Sequence, residues 1–245
     1  MKMRKMNWAV LFAAFVSVIG FSSCLDNEEG DSYDVIEYVT VIDNGYAPCL
    51  VGDGSGYTYN PINSDVLAGL KFTDGTGYWK RALVGIHLAE ELVETKKNFQ
   101  ISGITIFSPV TYKEATEQSD TLKNDYPFVS LGTGSEKPWA KTGYLNVPFS
   151  VGIPNNTPNL SDFNLYTVDA SNDTVYTKLH YSKDNSTSYT TMSETISFEF
   201  SPYNNGNAYY PTPKNDSIVV KVIATGKDKE LGTFTKCSYR DLYGW

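Results

Sequence analysis

The sequence predicts an all-β protein of two strand groups behind a removable leader, and three observations carry that expectation. First, 18 tyrosines and 12 phenylalanines, with abundant Thr, Ser and Asn and 19 glycines, make the chain rich in strand formers and turn formers. Second, beyond the leader no segment sustains a helical period. Third, short β-branched and aromatic runs recur at regular spacing between turn-forming clusters, a pattern that favours an antiparallel sandwich in the second half.

Lys2, Arg4 and Lys5 precede an apolar run over 8–19 that is too short to span a bilayer comfortably and reads as a secretion signal. The run ends in Gly20-Phe21-Ser22-Ser23-Cys24, where two small residues sit ahead of a cysteine, as a lipoprotein signal peptidase requires. Phe21 departs from the leucine usual three positions upstream. Residues 1–23 are expected to be removed and Cys24 to take a diacylglyceryl group, against the alternative of an ordinary secretory signal with a coincidental cysteine. Residues 24–32 then form an acidic, self-repelling tether carrying Asp26, Asn27, Glu28 and Glu29. Such a run resembles the export signal of Bacteroidetes surface lipoproteins. That resemblance implies an outer-membrane lipoprotein facing the cell exterior, where the alternative is a solvated spacer.

Processing takes away three positive charges and no negative one, moving the formal charge from −8 to −11. A chain this acidic repels nucleic acid and anionic headgroups. With no second apolar run of spanning length, the lipid is the expected link to a membrane.

The run YDVIEYVTVI over 33–42 is dense enough in β-branched and aromatic residues to be the first strand. Further strands are expected at 57–60 and 66–72. Over 80–89 the alternation is clean, with Ala82, Val84, Ile86 and Leu88 on one face and Arg81, Leu83, Gly85 and His87 on the other. FQISGITIF over 99–107 closes a first domain at 33–107. Residues 108–124, charged and holding Pro109, suit a linker. A second domain at 125–225 follows, with strands at 144–151, 163–168, 175–181, 195–200 and 217–225. Residues 226–245 read as a polar C-terminal tail.

Reactive groups are sparse. His87 and His180 are the two histidines, and neither has metal ligands or an activating partner at useful spacing, so each reads as a structural side chain on a strand. No GxSxG, P-loop, HExxH or CxxC occurs, and no cofactor is expected. A hydrolase would need His180 and Asp184 to line one pocket. Asp53-Gly54-Ser55-Gly56-Tyr57 and Asp74-Gly75-Thr76-Gly77-Tyr78 are near copies whose glycines suit tight turns. A calcium site would require the two loops to converge. With Cys24 committed to lipid, Cys49 and Cys237 are the remaining candidates for a disulfide in an oxidising envelope, the alternative being a small buried side chain at Cys49. Tyr203, Tyr209 and Tyr210 in a Pro- and Asn-rich loop offer flat faces to a protein or glycan ligand, or pack on the sandwich edge.

Asp120-Thr121-Leu122, Asp173-Thr174-Val175 and Asp216-Ser217-Ile218 each place a hydroxyl between an acid and an aliphatic residue, where composition alone gives about one such tripeptide. The tripeptide resembles the O-glycosylation acceptor of Bacteroidetes envelope proteins, making Thr121, Thr174 and Ser217 candidate acceptors; strand-initiating hydroxyl residues are the alternative.

The lipobox with its acidic follower, GYWKRALVGIHL, NFQISGITIF, YLNVPFSVGI and TVYTKLHYSKDN together resemble NigD-like lipoproteins of the Bacteroidetes, over nearly the whole chain from Cys24 to Thr225. That resemblance implies an N-terminal OB-like barrel followed by a β-sandwich, brings no catalytic residues, and attaches the idea of bacteriocin immunity. The expected function is a noncatalytic surface protein that binds an extracellular protein or glycan or protects the cell. A structural or accessory subunit of a surface assembly is the alternative.

Overall fold

In the computed structural model the chain divides into two compact units, Met1–Val110 and Thr111–Trp245. The structure describes residues 32–43, 45, 47–72, 77–93, 95–110, 112–117, 126–132, 136–154, 162–182, 189–200 and 216–243.

In the first unit β1 (Val35–Ile42), β2 (Cys49–Gly52), β3 (Thr58–Pro61), β4 (Arg81–Leu88) and β5 (Asn98–Pro109) close a barrel in the order β1-β2-β3-β5-β4. β1 pairs antiparallel with β2 and with β4, and the parallel β3–β5 ladder seals the barrel, which removes free strand edges. This is the small OB-like barrel expected. The inward row Ala82, Val84 and Ile86 is fully buried against Val39, Leu50, Phe99 and Ile101, as the alternation of β4 implies. On the outward row the ring of Tyr33 lies 2.6 Å from where a Cβ at Gly85 would stand. Any larger residue there would displace Tyr33 from its contacts with His87 and Phe107, whose centroids are 4.9 and 5.4 Å away.

The strand expected at 66–72 is instead a 3₁₀ helix, Ser64–Leu70. Its buried residues Leu67 and Leu70 recur with a period of three, not two, and the Asn63 side chain accepts from Asp65 N at 3.0 Å to start the turn. β2 escaped the sequence reading because four residues carry too little alternation to be recognised.

The second unit is a sandwich of two sheets. One runs in the order β6-β13-β10-β8, with β9 also on β10; its strands are β6 (Tyr112–Glu114), β8 (Phe128–Leu131), β9 (Trp139–Lys141), β10 (Tyr144–Pro154) and β13 (Tyr189–Glu199). The other runs β15-β14-β12-β11-β7, with β7 (Thr116–Glu117), β11 (Phe163–Ser171), β12 (Thr174–Tyr181), β14 (Ser217–Thr225) and β15 (Glu230–Ser238). Phe128 and Phe149 from the first sheet meet Phe163 and Tyr181 from the second, with Phe163 and Tyr181 stacked at 4.3 Å, so aromatic rings join the two layers. Not every pairing is antiparallel: β14 lies parallel to β12 because the intervening β13 crosses into the opposite sheet.

Two expected segments are corrected. The linker at 108–124 is in part structural. Ser108 and Pro109 finish β5, and β6 and β7 border the two sandwich sheets through parallel pairing with β13 and β11. Ala115 between them is buried in the core, so the chain crosses from one layer to the other at that residue. Residues 118–125 lie outside the described residues. Of the expected tail at 226–245, residues 226–243 are also part of the fold, and residues 244–245 lie outside the described residues. β15 pairs with β14 along its whole length, and a short helix α1 (Tyr239–Tyr243) buries Leu242 and Tyr243 in the sandwich core. The Ser238 hydroxyl caps α1, accepting from Asp241 N at 3.0 Å and donating to the Asp241 carboxylate at 2.8 Å. Among the described residues no helix is long and apolar enough to cross a membrane.

Candidate functional site

The densest polar cluster in the barrel gathers around the Asp53-Gly54-Ser55-Gly56-Tyr57 turn between β2 and β3. Glu37 shares the inward parity of Val39 and Val41 on β1, so its carboxylate enters the core and must find donors there. It finds four. One oxygen accepts from Gly54 N and Ser55 N, each at 3.0 Å, and the other from the Ser55 hydroxyl at 2.7 Å and from the Tyr59 hydroxyl. A Cβ at Gly52 would stand 2.2 Å from that carboxylate, so only glycine leaves room for it. Burial and the adjacent Glu37 carboxylate push the Tyr59 hydroxyl well above the ordinary phenol range.

Beside it, on the outward face, fully buried Arg81 of β4 donates through both arms to Asp53, at 3.1 and 2.6 Å, and to the Thr40 hydroxyl at 2.6 Å. A charge at zero exposure is held by this fork geometry. The two networks share one turn, so that turn is fixed from both sides. Chemically the cluster locks the fold. The Glu37 oxygens are occupied by four donors and Tyr59 stays protonated, which leaves no group poised for proton transfer. Asp53 and Ser55 are likewise committed, Asp53 to Arg81 and Ser55 to Glu37. Gly56, with φ of 64°, is the glycine the turn requires for its backbone. Of the second near-copy loop, residues 73–76 lie outside the described residues. The signal for this cluster stands in the sequence as a lone glutamate in the row of β1 that otherwise holds Val35, Val39 and Val41.

The histidines sit apart. His87 is in the outward row of β4 beside Tyr33, and His180 is buried on β12 in a T-shaped contact with Tyr166, ring centroids 5.9 Å apart. Among the described residues no group of three His, Cys, Asp or Glu side chains gathers to hold a metal. Cys49 on β2 and Cys237 on β15 are free thiols in different units. Burial raises both thiols, and Cys237, with Asp241 adding its negative charge, is pushed up to about 12.

Of the candidate acceptors, Thr174 and Ser217 open β12 and β14 and lie half-buried toward the same end of one sheet, while Thr121 lies outside the described residues. Cys24, the acidic residues Asp26, Asn27, Glu28 and Glu29, Asp184, and the loop tyrosines Tyr203, Tyr209 and Tyr210 also lie outside them.

No protein-family model and no curated protein matches the chain. Solved structures do. A Parabacteroides distasonis protein whose name calls it toxin-related superposes with a TM-score of 0.55 at 19% identity, covering 83% of this chain and 93% of its own. A Bacteroides fragilis protein named as a lipoprotein superposes with a TM-score of 0.54 at 13% identity, covering 84% of this chain and 97% of its own. Both share the fold over most of this chain. A Bacteroides caccae protein named a NigD-like immunity protein also matches, at a TM-score of 0.41 and 19% identity, covering 86% of this chain and 94% of its own; that likeness is too distant to carry an argument. The class is therefore defined by fold: a small closed barrel followed by a two-sheet sandwich, the architecture that the resemblance to NigD-like lipoproteins implied.

Proposed function

We propose that the protein is a lipid-anchored, noncatalytic envelope protein that presents its two β units outside the cell to bind a protein or glycan ligand. The observation that carries the noncatalytic part is the fate of the buried carboxylates: Glu37 and Asp53 are consumed by Tyr59, Ser55, backbone N–H groups and Arg81. Groups so committed fix a scaffold, and recognition is left to its surfaces. The anchor reading rests on Cys24 behind its signal, and the outward-facing reading on Asp26, Glu28 and Glu29. The names of the matched structures, one a lipoprotein and one toxin-related, are in keeping with a protective envelope role of the bacteriocin-immunity kind. Thr121, Thr174 and Ser217 are proposed glycan acceptors on the exported chain.

The experiment is a fractionation and shaving series. The wild-type chain is expected in the membrane fraction and to be digested by proteinase added to intact cells. Replacing Asp26, Glu28 and Glu29 with Ala is expected to protect it. Digestion of that variant at the wild-type rate would sink the outward-facing reading. For protection, cells lacking the protein are expected to lose resistance to a competitor's culture supernatant. A second reading, an accessory subunit of a surface assembly, is favoured by one observation: no described residue hydrogen-bonds to the outer edge of β15.

A further inference from the structure

β15 ends its sheet, and among the described residues nothing hydrogen-bonds to its outer side. Nine residues run without a bulge, so alternate N–H and C=O groups stand in a straight row ready for another strand. The outward-facing residues along it are Glu230, Gly232, Phe234, Lys236 and Ser238; the inward-facing ones are Leu231, Thr233, Thr235 and Cys237.

Three features of this edge lack a role in the unit itself. Phe234 is 60% exposed, the largest value among the exposed large apolar side chains of the described residues. Above Gly232 a Cβ would meet nothing within 4 Å, so there is open space where the neighbouring position carries a ring. Glu230 and Lys236 are both exposed and neither joins an ion pair with any described residue.

These features fit one partner. Two copies of the strand run antiparallel about a two-fold axis at Thr233 bring Glu230 opposite Lys236 of the partner, and Gly232 opposite Phe234 of the partner. The axis repeats both pairs. Each ring then covers the bare backbone of a glycine, and each charge faces its opposite, on one face of the new ladder. The other face places Leu231 opposite Thr235 and Thr233 opposite itself.

Neighbouring registers fail on the same criteria. Moving the axis to Gly232 sets Glu230 against Phe234, and moving it to Phe234 sets Gly232 against Lys236 and leaves Glu230 facing Ser238. An axis between residues would oppose a bonded edge to an unbonded one and flip every side chain to the wrong face. We infer that β15 is a self-recognition edge through which two copies of this chain pair antiparallel about Thr233, joining two five-stranded sheets into one.

A lysine on an edge strand ordinarily guards against pairing. Here that lysine meets a glutamate only when the partner is another copy in this register, so the same residue admits a copy and discourages other strands. The ladder is short and its area small, which makes the association weak and concentration-dependent.

The test is sedimentation velocity of the full chain, purified in mild detergent, over a wide concentration range. Wild type is expected to shift from monomer to dimer. Glu230→Lys and Lys236→Glu each oppose like charges twice, and each is expected to weaken the dimer by about tenfold. Mixing these two variants restores both ion pairs, so a heterodimer is expected at concentrations where each variant alone is mainly monomeric. Phe234→Lys is expected to abolish pairing without lowering the melting temperature, since the ring is exposed. A wild type that stays monomeric throughout overturns the inference. So does a dimer indifferent to both reversals, or a mixture that fails to associate, or preferential pairing of β15 with a strand of another protein.

Discussion

At the scale of single residues, the barrel depends on charges placed where apolar side chains are the rule. Arg81→Met leaves the Asp53 carboxylate buried beside Thr40 without its guanidinium. Breaking a buried pair this way costs about 3–5 kcal/mol, and urea unfolding of the variant measures it. Tyr59 gives a pH signature. Its folded-state value is raised above the unfolded one, so its contribution to stability is complete below about pH 10 and falls as pH rises beyond it. Tyr59→Phe removes that dependence at the expense of its hydroxyl bond to Glu37, so the variant is expected to be less stable at neutral pH and to lose less of its stability between neutrality and strong alkali. Cys237 has the same sign of shift. At pH 8 its thiol is expected to react with iodoacetamide far more slowly than a free cysteine, with the rate rising toward pH 12; rapid labelling at pH 8 would contradict its burial.

Among the elements, legibility tracked how much of the local pattern came from burial. β4, β12 and β14 each carry a buried, mainly apolar row at every second residue because one face lies against a core, and all three are legible in the sequence. β15 was read as tail. Its inward row is Leu231, Thr233, Thr235 and Cys237, none of them fully buried, so the alternation is too shallow to announce a strand. The early part of β13 was missed for a like reason: Thr190, Thr191 and Ser193 pair with the far half of β10, where the sheet is more exposed. The polar cluster was half legible. The Asp53–Tyr57 turn is among the sequence expectations, but Glu37 is not, because its donors come from that turn and from β3, which only the closed barrel brings near. If the C-terminal element is part of the sandwich, deleting residues 226–245 strips β14 of its partner and uncovers Ile218, Val220 and Val222. The truncated chain is expected to lose cooperative unfolding of that unit, and the milder Leu242→Ala to cost about 2–5 kcal/mol. Unchanged melting in the truncation would return those residues to the status of a tail.

For the whole molecule, the proposed role joins two β units, the first with Glu37 and Asp53 bonded internally, to the proposed leader that ends at Cys24. Fold alone does not assign a ligand. The compartment decides which ligands are within reach, so the anchor is the claim on which the rest depends. The most direct measurement is mass spectrometry of the N-terminal peptide from protein isolated out of the membrane fraction, compared with a Cys24→Ala chain. The expected result is a mature chain starting at Cys24 and carrying diacylglyceryl and fatty acyl mass, with the Ala variant unprocessed or lost from the membrane. An unmodified Cys24 peptide, or a processed Ala variant retained in the membrane, would contradict it.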